Sequence, residues 1–323
     1  MNATGEVRSS TSASPRASLS SGTVGAIYSV LAYAMWGVLP LYWKMFAGIS
    51  PVEIVAHRML WSLPFALLLV MARRHLAALA RVLRSPRQVA LLTGTAALLS
   101  VNWGIYIYGV NTGRIVETSL GYFINPLVNV ALGFLFLKER FNRWQVVALV
   151  LAAAGVANFI WSLGTWPWIA LMLAFSFGLY GLARKTVQAG ARVGLSVETL
   201  AMAPAGVAIV AYGLVTGSGH FGAIGLRDVA FVATGVVTVL PLLWFAEGAR
   251  RLRLSTLGII QYLAPSLQFL LGVFLYREPF TTAHAVTFGT IWTALAIYSL
   301  STWRTARRAA ALAAGGGDVV QIV

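Results

Sequence analysis

Ten apolar stretches, each long enough to cross a bilayer, occupy most of this 323-residue chain, and the second five repeat the first five about 140 residues later. Pro126, Gly133, Glu139 and Phe141 recur as Pro265, Gly272, Glu278 and Phe280, all at an offset of 139. Gly37, Leu41 and Lys44 recur as Gly178, Leu182 and Lys185 at an offset of 141. Thr93, Gly94 and Trp103 recur as Thr234, Gly235 and Trp244 at that same 141. The halves stay nearly in register throughout.

Only 10% of the residues are charged and 59% are hydrophobic, too little polar side chain to cover a water-facing surface. Lipid is the solvent for most of such a chain. In hydrocarbon every backbone amide needs an internal partner, and long apolar runs without period-2 alternation select helices over a barrel. The expected fold is an all-α integral membrane protein with ten transmembrane helices, over roughly 24–43, 52–72, 89–110, 115–137, 144–163, 166–184, 195–216, 229–249, 255–276 and 283–303. Residues 22–163 form a first five-helix repeat and 164–305 a second. The Ser/Ala/Thr-rich residues 1–21 and residues 306–323, which carry Gly315, Gly316 and Gly317, read as disordered tails. The first apolar run is longer than a signal-peptide core and lacks a convincing cleavage site, so it reads as a retained helix.

The net charge of +15 is distributed by loop. With the N-terminus inside, 19 of the 24 Lys and Arg residues fall on cytoplasmic segments and four (Lys44, Arg114, Arg227, Arg277) outside, with Arg58 inside a span. That bias predicts that both termini are cytoplasmic. Anionic lipid suffices as partner for the basic loops, and nucleic acid is not an expected partner. The chain has no cysteine, which removes disulfides, thiolate metal sites and cysteine nucleophiles. No cofactor or metal is expected.

Five helices per half is an odd number, so the second half enters the membrane from the opposite side and the halves become inverted copies. If inverted copies take slightly different shapes, exchanging those shapes moves a central opening from one face to the other. That is the logic of alternating access, although duplication can also build a channel or a static scaffold.

Polar residues at depth mark the candidate site. Arg58 follows Pro51 by seven residues, about 10 Å down its helix, where exposure to lipid would cost a few kcal/mol. It reads as a substrate anchor favouring negative charge, or as a snorkelling helix-end ion pair. Glu53 and His57 share a face four residues apart and are candidate proton carriers, as is Glu117. Glu117, Gly121, Asn125 and Asn129 form a polar stripe beside Tyr122 and Pro126; Gln261, Tyr262, Pro265 and Gln268 form its counterpart. Asn125, Gln261 and Tyr262 either line a cavity or join helices, whereas Asn129 and Gln268 lean to joining helices. Asn102, Trp103 and Tyr106, with Trp36, Tyr33 and Trp244, suggest an aromatic-walled pocket, against plain packing as the alternative. Trp43, Trp144 and Trp303 sit at span ends and fit an interfacial belt. Glu139 and Glu278 read as caps, and Glu247 as a local ion-pair partner of Arg250 and Arg251.

These residues carry a family resemblance. Glu53-x-x-x-His57-Arg58, Asn102-Trp103, the run from Glu117 to Asn129, and the run from Arg251 to Gly258 leading to Gln261-Tyr262 and Pro265 resemble the EamA branch of the drug/metabolite transporter superfamily, within it the RarD group. The similarity covers about residues 22–305 and implies two inverted EamA repeats, a basket-like central cavity and a bacterial cytoplasmic membrane. The expectation is a secondary transporter of a small polar or amphipathic metabolite or drug, with a small-molecule substrate and lipid as partners and a homodimer allowed. A channel or accessory subunit is the alternative. A membrane enzyme using His57 or Glu117 as base ranks lower, because the chain lacks a His-x-x-x-His pair or a nucleophile elbow.

Overall fold

The computed structural model describes residues 21–72, 75–137, 142–249, 251–252 and 260–315, and every element among them is helical. The expectations placed on residues 1–20, Glu139, Arg250, residues 253–258 and 316–323 lie outside the described residues. In chain order the elements are α1 (Ser21–Trp43), α2 (Pro51–Ala72), α3 (Leu76–Leu83), α4 (Pro86–Asn111), α5 (Ile115–Leu137), α6 (Arg143–Leu163), α7 (Trp168–Thr186), α8 (Ala191–Thr216), α9 (Leu226–Ala249), α10 (Leu263–Leu270) and α11 (Thr282–Gly315). A 3-10 turn, Lys44–Phe46, follows α1, and a π turn, Leu271–Leu275, follows α10.

Among the described residues, eight helices are long and apolar enough to cross a membrane. The apolar part of α7, Trp168–Arg184, and α10 with its π turn, Leu263–Leu275, are shorter, and these fall in the sixth and ninth expected spans. Two elements depart from the sequence reading. The short helix α3 falls in the expected first basic loop because Leu79 packs with Val70, Leu92, Val193 and Val197. The final helix runs on to Gly315 rather than ending near 305, as the strong helix propensity of Ala306, Ala309, Ala310 and Ala311 favours.

The strongest helix pairs join the N-terminal half of the chain to the C-terminal half, with weaker pairs such as α2 on α4 within a half. α2 packs on α8 and α9, α1 on α9 and α10, α4 on α7 and α8, α5 on α7 and α10, and α6 on α11. Small residues set the closest crossings. A Cβ at Gly37 on α1 would meet Leu267 of α10 at 2.7 Å, and one at Gly178 on α7 would meet Val128 of α5 at 3.0 Å. These contacts occupy equivalent places, since the repeat offsets carry Gly37 to Gly178 and Val128 to Leu267.

Proline and helix ends account for several buried polar groups. Pro40 has no N–H for the carbonyl of Trp36 one turn earlier, and Gln268 Nε2 on α10 donates to that carbonyl at 3.2 Å. Glu278 accepts from the backbone N–H groups of Ile115 and Val116, each at 2.7 Å, and so caps α5 as its position suggested. Glu247 meets Arg251 at 2.5 Å as expected, and also Arg192 at 2.8 Å.

One crossing differs sharply from its counterpart. α2 and α9 begin on one side of the bundle, where Glu53 accepts from the His220 backbone N–H at 2.7 Å. α4 and α8 begin together elsewhere, where Gln188 N–H donates to Gln88 at 3.1 Å. A Cβ at Gly235 on α9 would lie 2.2 Å from the Trp61 carbonyl oxygen of α2, whereas at Gly94 on α4 it would meet nothing within 4 Å. The backbones of α2 and α9 are in contact at Gly235, whereas Gly94 is exposed, although α4 and α8 still meet next to it through Thr95 and Glu198 at 2.6 Å.

Candidate functional site

Arg58 is the hub of the site. It is 4% exposed, and its Nε–H donates to Thr238 Oγ1 of α9 at 2.8 Å. The guanidinium carbon lies 3.7 Å from the ring centre of Trp103 and 5.2 Å from that of Trp43. The phenols of Tyr42, Tyr106 and Tyr122 are within electrostatic reach. Among the described residues no carboxylate is paired with Arg58, which sets aside the helix-end ion pair. Burying a cation costs several kcal/mol. One hydrogen bond to a charged group returns about 1.5–3 kcal/mol and each indole about 0.5–2 kcal/mol, and no carboxylate among the described residues adds an ion pair to these.

The aromatic wall is partly the expected one. Trp103, Tyr106, Tyr122 and Trp36 belong to one apolar cluster with Tyr42 and Trp43. Tyr106 and Tyr122 meet edge to face at 5.8 Å, and the buried Tyr106 hydroxyl has no hydrogen-bond partner. Trp43 is not an interfacial residue; it is fully buried because Arg58, Tyr42 and Phe46 surround it. Trp144 and Trp303 are exposed, as the belt reading requires. Trp36 also packs against Tyr33 and Phe245, and Trp244 is half-buried on α9.

Other candidates are used elsewhere. Asn102 donates to the Leu173 carbonyl at 3.0 Å and to Ser176 at 2.9 Å, fastening α4 to α7. Asn125 donates to the Ala174 carbonyl at 3.0 Å and accepts from Asn129 at 3.1 Å, fastening α5 to α7. Tyr262 stacks near Phe123 at 6.3 Å in the separate cluster around α5, α6 and α11, and Gln261 is half-buried beside it.

The three expected proton carriers separate. Glu117 accepts from Ile169 N–H at the start of α7 at 3.0 Å and pairs with Arg114 at 2.6 Å, so its carboxylate is occupied as a cap. Glu53 is tied to the His220 backbone and, at 2.9 Å, to its ring. Its side chain is not hydrogen-bonded to His57, whose Nδ1 accepts from Trp61 Nε1 at 3.1 Å while the ring stacks on Phe231 at 4.0 Å. His57 is fully buried and its Nε2 is unpartnered.

A cavity of about 320 Å³ of empty space, its open part included, lies between α2, α4, α8 and α9. Its lining includes Met59, Ser62, Trp103, Glu198, Met202 and Thr238. Arg58 adjoins it through Trp103 and Thr238. Sequence reasoning passed over Glu198, which sits three residues inside the expected start of span seven and resembles an end-of-helix acid. The repeat offset of 141, which carries His57 to Glu198, is the signal that could have found it.

Apolar helices around a buried cation and a small, mostly apolar cavity fit a multi-pass membrane protein, and similarity to known proteins gives its class as transporter. The EamA-like transporter family matches residues 23–161. The Bacillus subtilis uncharacterized transporter YojE is 43% identical over 294 residues, 88% of this chain and 97% of its own. The Escherichia coli protein RarD is 41% identical over 286 residues, 88% and 96% of the two chains. A Pseudomonas aeruginosa chloramphenicol-sensitive protein RarD is 31% identical over 287 residues, 88% and 95%. A crystal structure with 20% identity covers 89% of this chain and 99% of its own with a TM-score of 0.57, which shows a shared fold. The chain belongs to the EamA-like transporter family of the drug/metabolite transporter superfamily.

Proposed function

We propose that the chain is a secondary transporter that works by alternating access and binds a small polar or amphipathic solute bearing negative charge. Arg58 is the anchor, Trp103 and Tyr106 form the wall, and Thr238 orients the guanidinium. The observation that carries this reading is a buried arginine beside the cavity with hydroxyl and indole partners but no paired carboxylate among the described residues. A ligand carboxylate or phosphate would complete the charge balance, and a planar guanidinium suits either.

Ten spans in two inverted repeats, residues 22–163 and 164–305, supply the moving parts in this reading. Support comes from the strongest helix pairs, which are unchanged when each helix of one half is exchanged for its counterpart in the other. The equivalent close contacts at Gly37 and Gly178 add to it. The unequal surroundings of Gly235 and Gly94 fit one state of a rocking pair, with α2 and α9 more closely packed than α4 and α8. With both termini in the cytoplasm of a bacterial inner membrane, the α4–α8 end faces the cytoplasm.

An uptake screen of purified protein in liposomes against anionic and neutral metabolites tests this reading. Saturable uptake of anionic solutes, abolished in Arg58→Ala with normal membrane abundance, is the expected result. Normal transport by that variant would remove the anchor, and flux that never saturates would favour a channel.

A further inference from the structure

Glu198 is a carboxylate that the anion-binding reading does not use. It is 3% exposed on α8 and lines the cavity with Ser62, Thr199 and Thr238. One oxygen, Oε1, accepts from Thr95 Oγ1 of α4 at 2.6 Å and lies 3.6 Å from Arg184 Nη1 of α7. The other, Oε2, is buried with no hydrogen-bond partner. The groups facing it are Arg184 and Tyr180 from α7, Thr95 from α4, Met59 and Ser62 from α2, and Thr238 from α9. Arg184 is thus the single cation among them, and at 3.6 Å it makes an ion pair without a hydrogen bond.

Gly194, one turn before Glu198, lets the Arg184 guanidinium lie against α8: a Cβ there would fall 2.2 Å from Arg184 Nη1 and the side chain would have to swing aside. Glu198 is therefore the junction of three helices, held by a hydroxyl and a cation on one oxygen and left open on the other. An unpartnered buried carboxylate oxygen is satisfied most simply by taking a proton, which converts it to a hydroxyl donor and neutralises the charge.

We infer that Glu198 is a reversible proton-binding site of the cavity, the proton adding at Oε2 to give the neutral acid, and that its loading weakens the hold of α8 on Arg184 and Thr95. The proton site rests on the geometry of Glu198 alone. Only its coupling to solute movement rests on the transport reading.

Infrared difference spectroscopy of the full chain in lipid, titrated from about pH 9 to about pH 5, reads the site without any solute. The expected result is a carbonyl-stretch band of a protonated carboxylic acid that grows as pH falls and is missing in Glu198→Gln. In Thr95→Val, which keeps the side-chain volume and loses the hydroxyl, the same band shifts in frequency. That second variant keeps the assignment testable if Glu198→Gln fails to fold. The inference is overturned if no such band titrates, if it persists in Glu198→Gln, or if Thr95→Val leaves its frequency unchanged. Failure of the uptake screen with this band intact would overturn the transport reading and not the proton site.

Discussion

α2 and α8 occupy equivalent places in the two halves, yet they bring opposite charges to the same cavity. The 141-residue offset sets His57-Arg58 of α2 against Glu198-Thr199 of α8. Arg58 is buried against Thr238 and two indoles, and Glu198 is buried against Thr95 and a distant arginine. At these matched positions of the sequence repeat the chain carries a buried cation on one helix and a buried acid on the other. The strongest helix pairs follow the repeat, and the buried charges do not.

The comparison breaks most decisively at Arg58. Arg58→Ala should lower uptake by about 100-fold or more, since an unpaired buried ligand charge costs about 2–5 kcal/mol. Arg58→Lys should recover little, because an ammonium cannot lie flat on Trp103. Next in size is Gly235→Ala, which forces a methyl group against the Trp61 carbonyl and should cost about 1–3 kcal/mol in detergent thermal unfolding. Thr238→Val should reduce uptake by about 10-fold, the loss of one hydrogen bond to a charged group. Gly94→Ala sharpens the contrast at the small end. With open space around it, the substitution should be neutral or stabilise by up to about 1 kcal/mol in the same unfolding assay.

Much of this was legible in the sequence, for identifiable reasons. Spans follow from hydropathy, so the helix ends fall within a few residues of expectation for α2, α5 and α6. α3 was not legible, because eight residues cannot show a membrane signal and its stability comes from Leu79 packing on distant helices. Arg58 announced itself through the cost of a charge at depth. Glu53 and Glu117 look similar in sequence and turned out to be tied to a loop and a helix start, since spacing along one helix does not say which neighbour takes the carboxylate. Trp43 was misplaced because a residue at a span end faces either lipid headgroups or the bundle interior, and only packing decides.

The proposed exchange of shape between the halves is open to direct measurement, and the absence of native cysteine makes the chain a ready background for spin labels. Pulsed dipolar spectroscopy would compare a pair at Val52→Cys and Arg227→Cys, where α2 and α9 begin, with a pair at Arg87→Cys and Gln188→Cys, where α4 and α8 begin; all four positions are exposed. A wedge, Gly235→Leu, then forces the α2–α9 crossing apart without any solute. The account predicts that the first distance lengthens and the second shortens. A second distance that stays fixed, or lengthens together with the first, would contradict it.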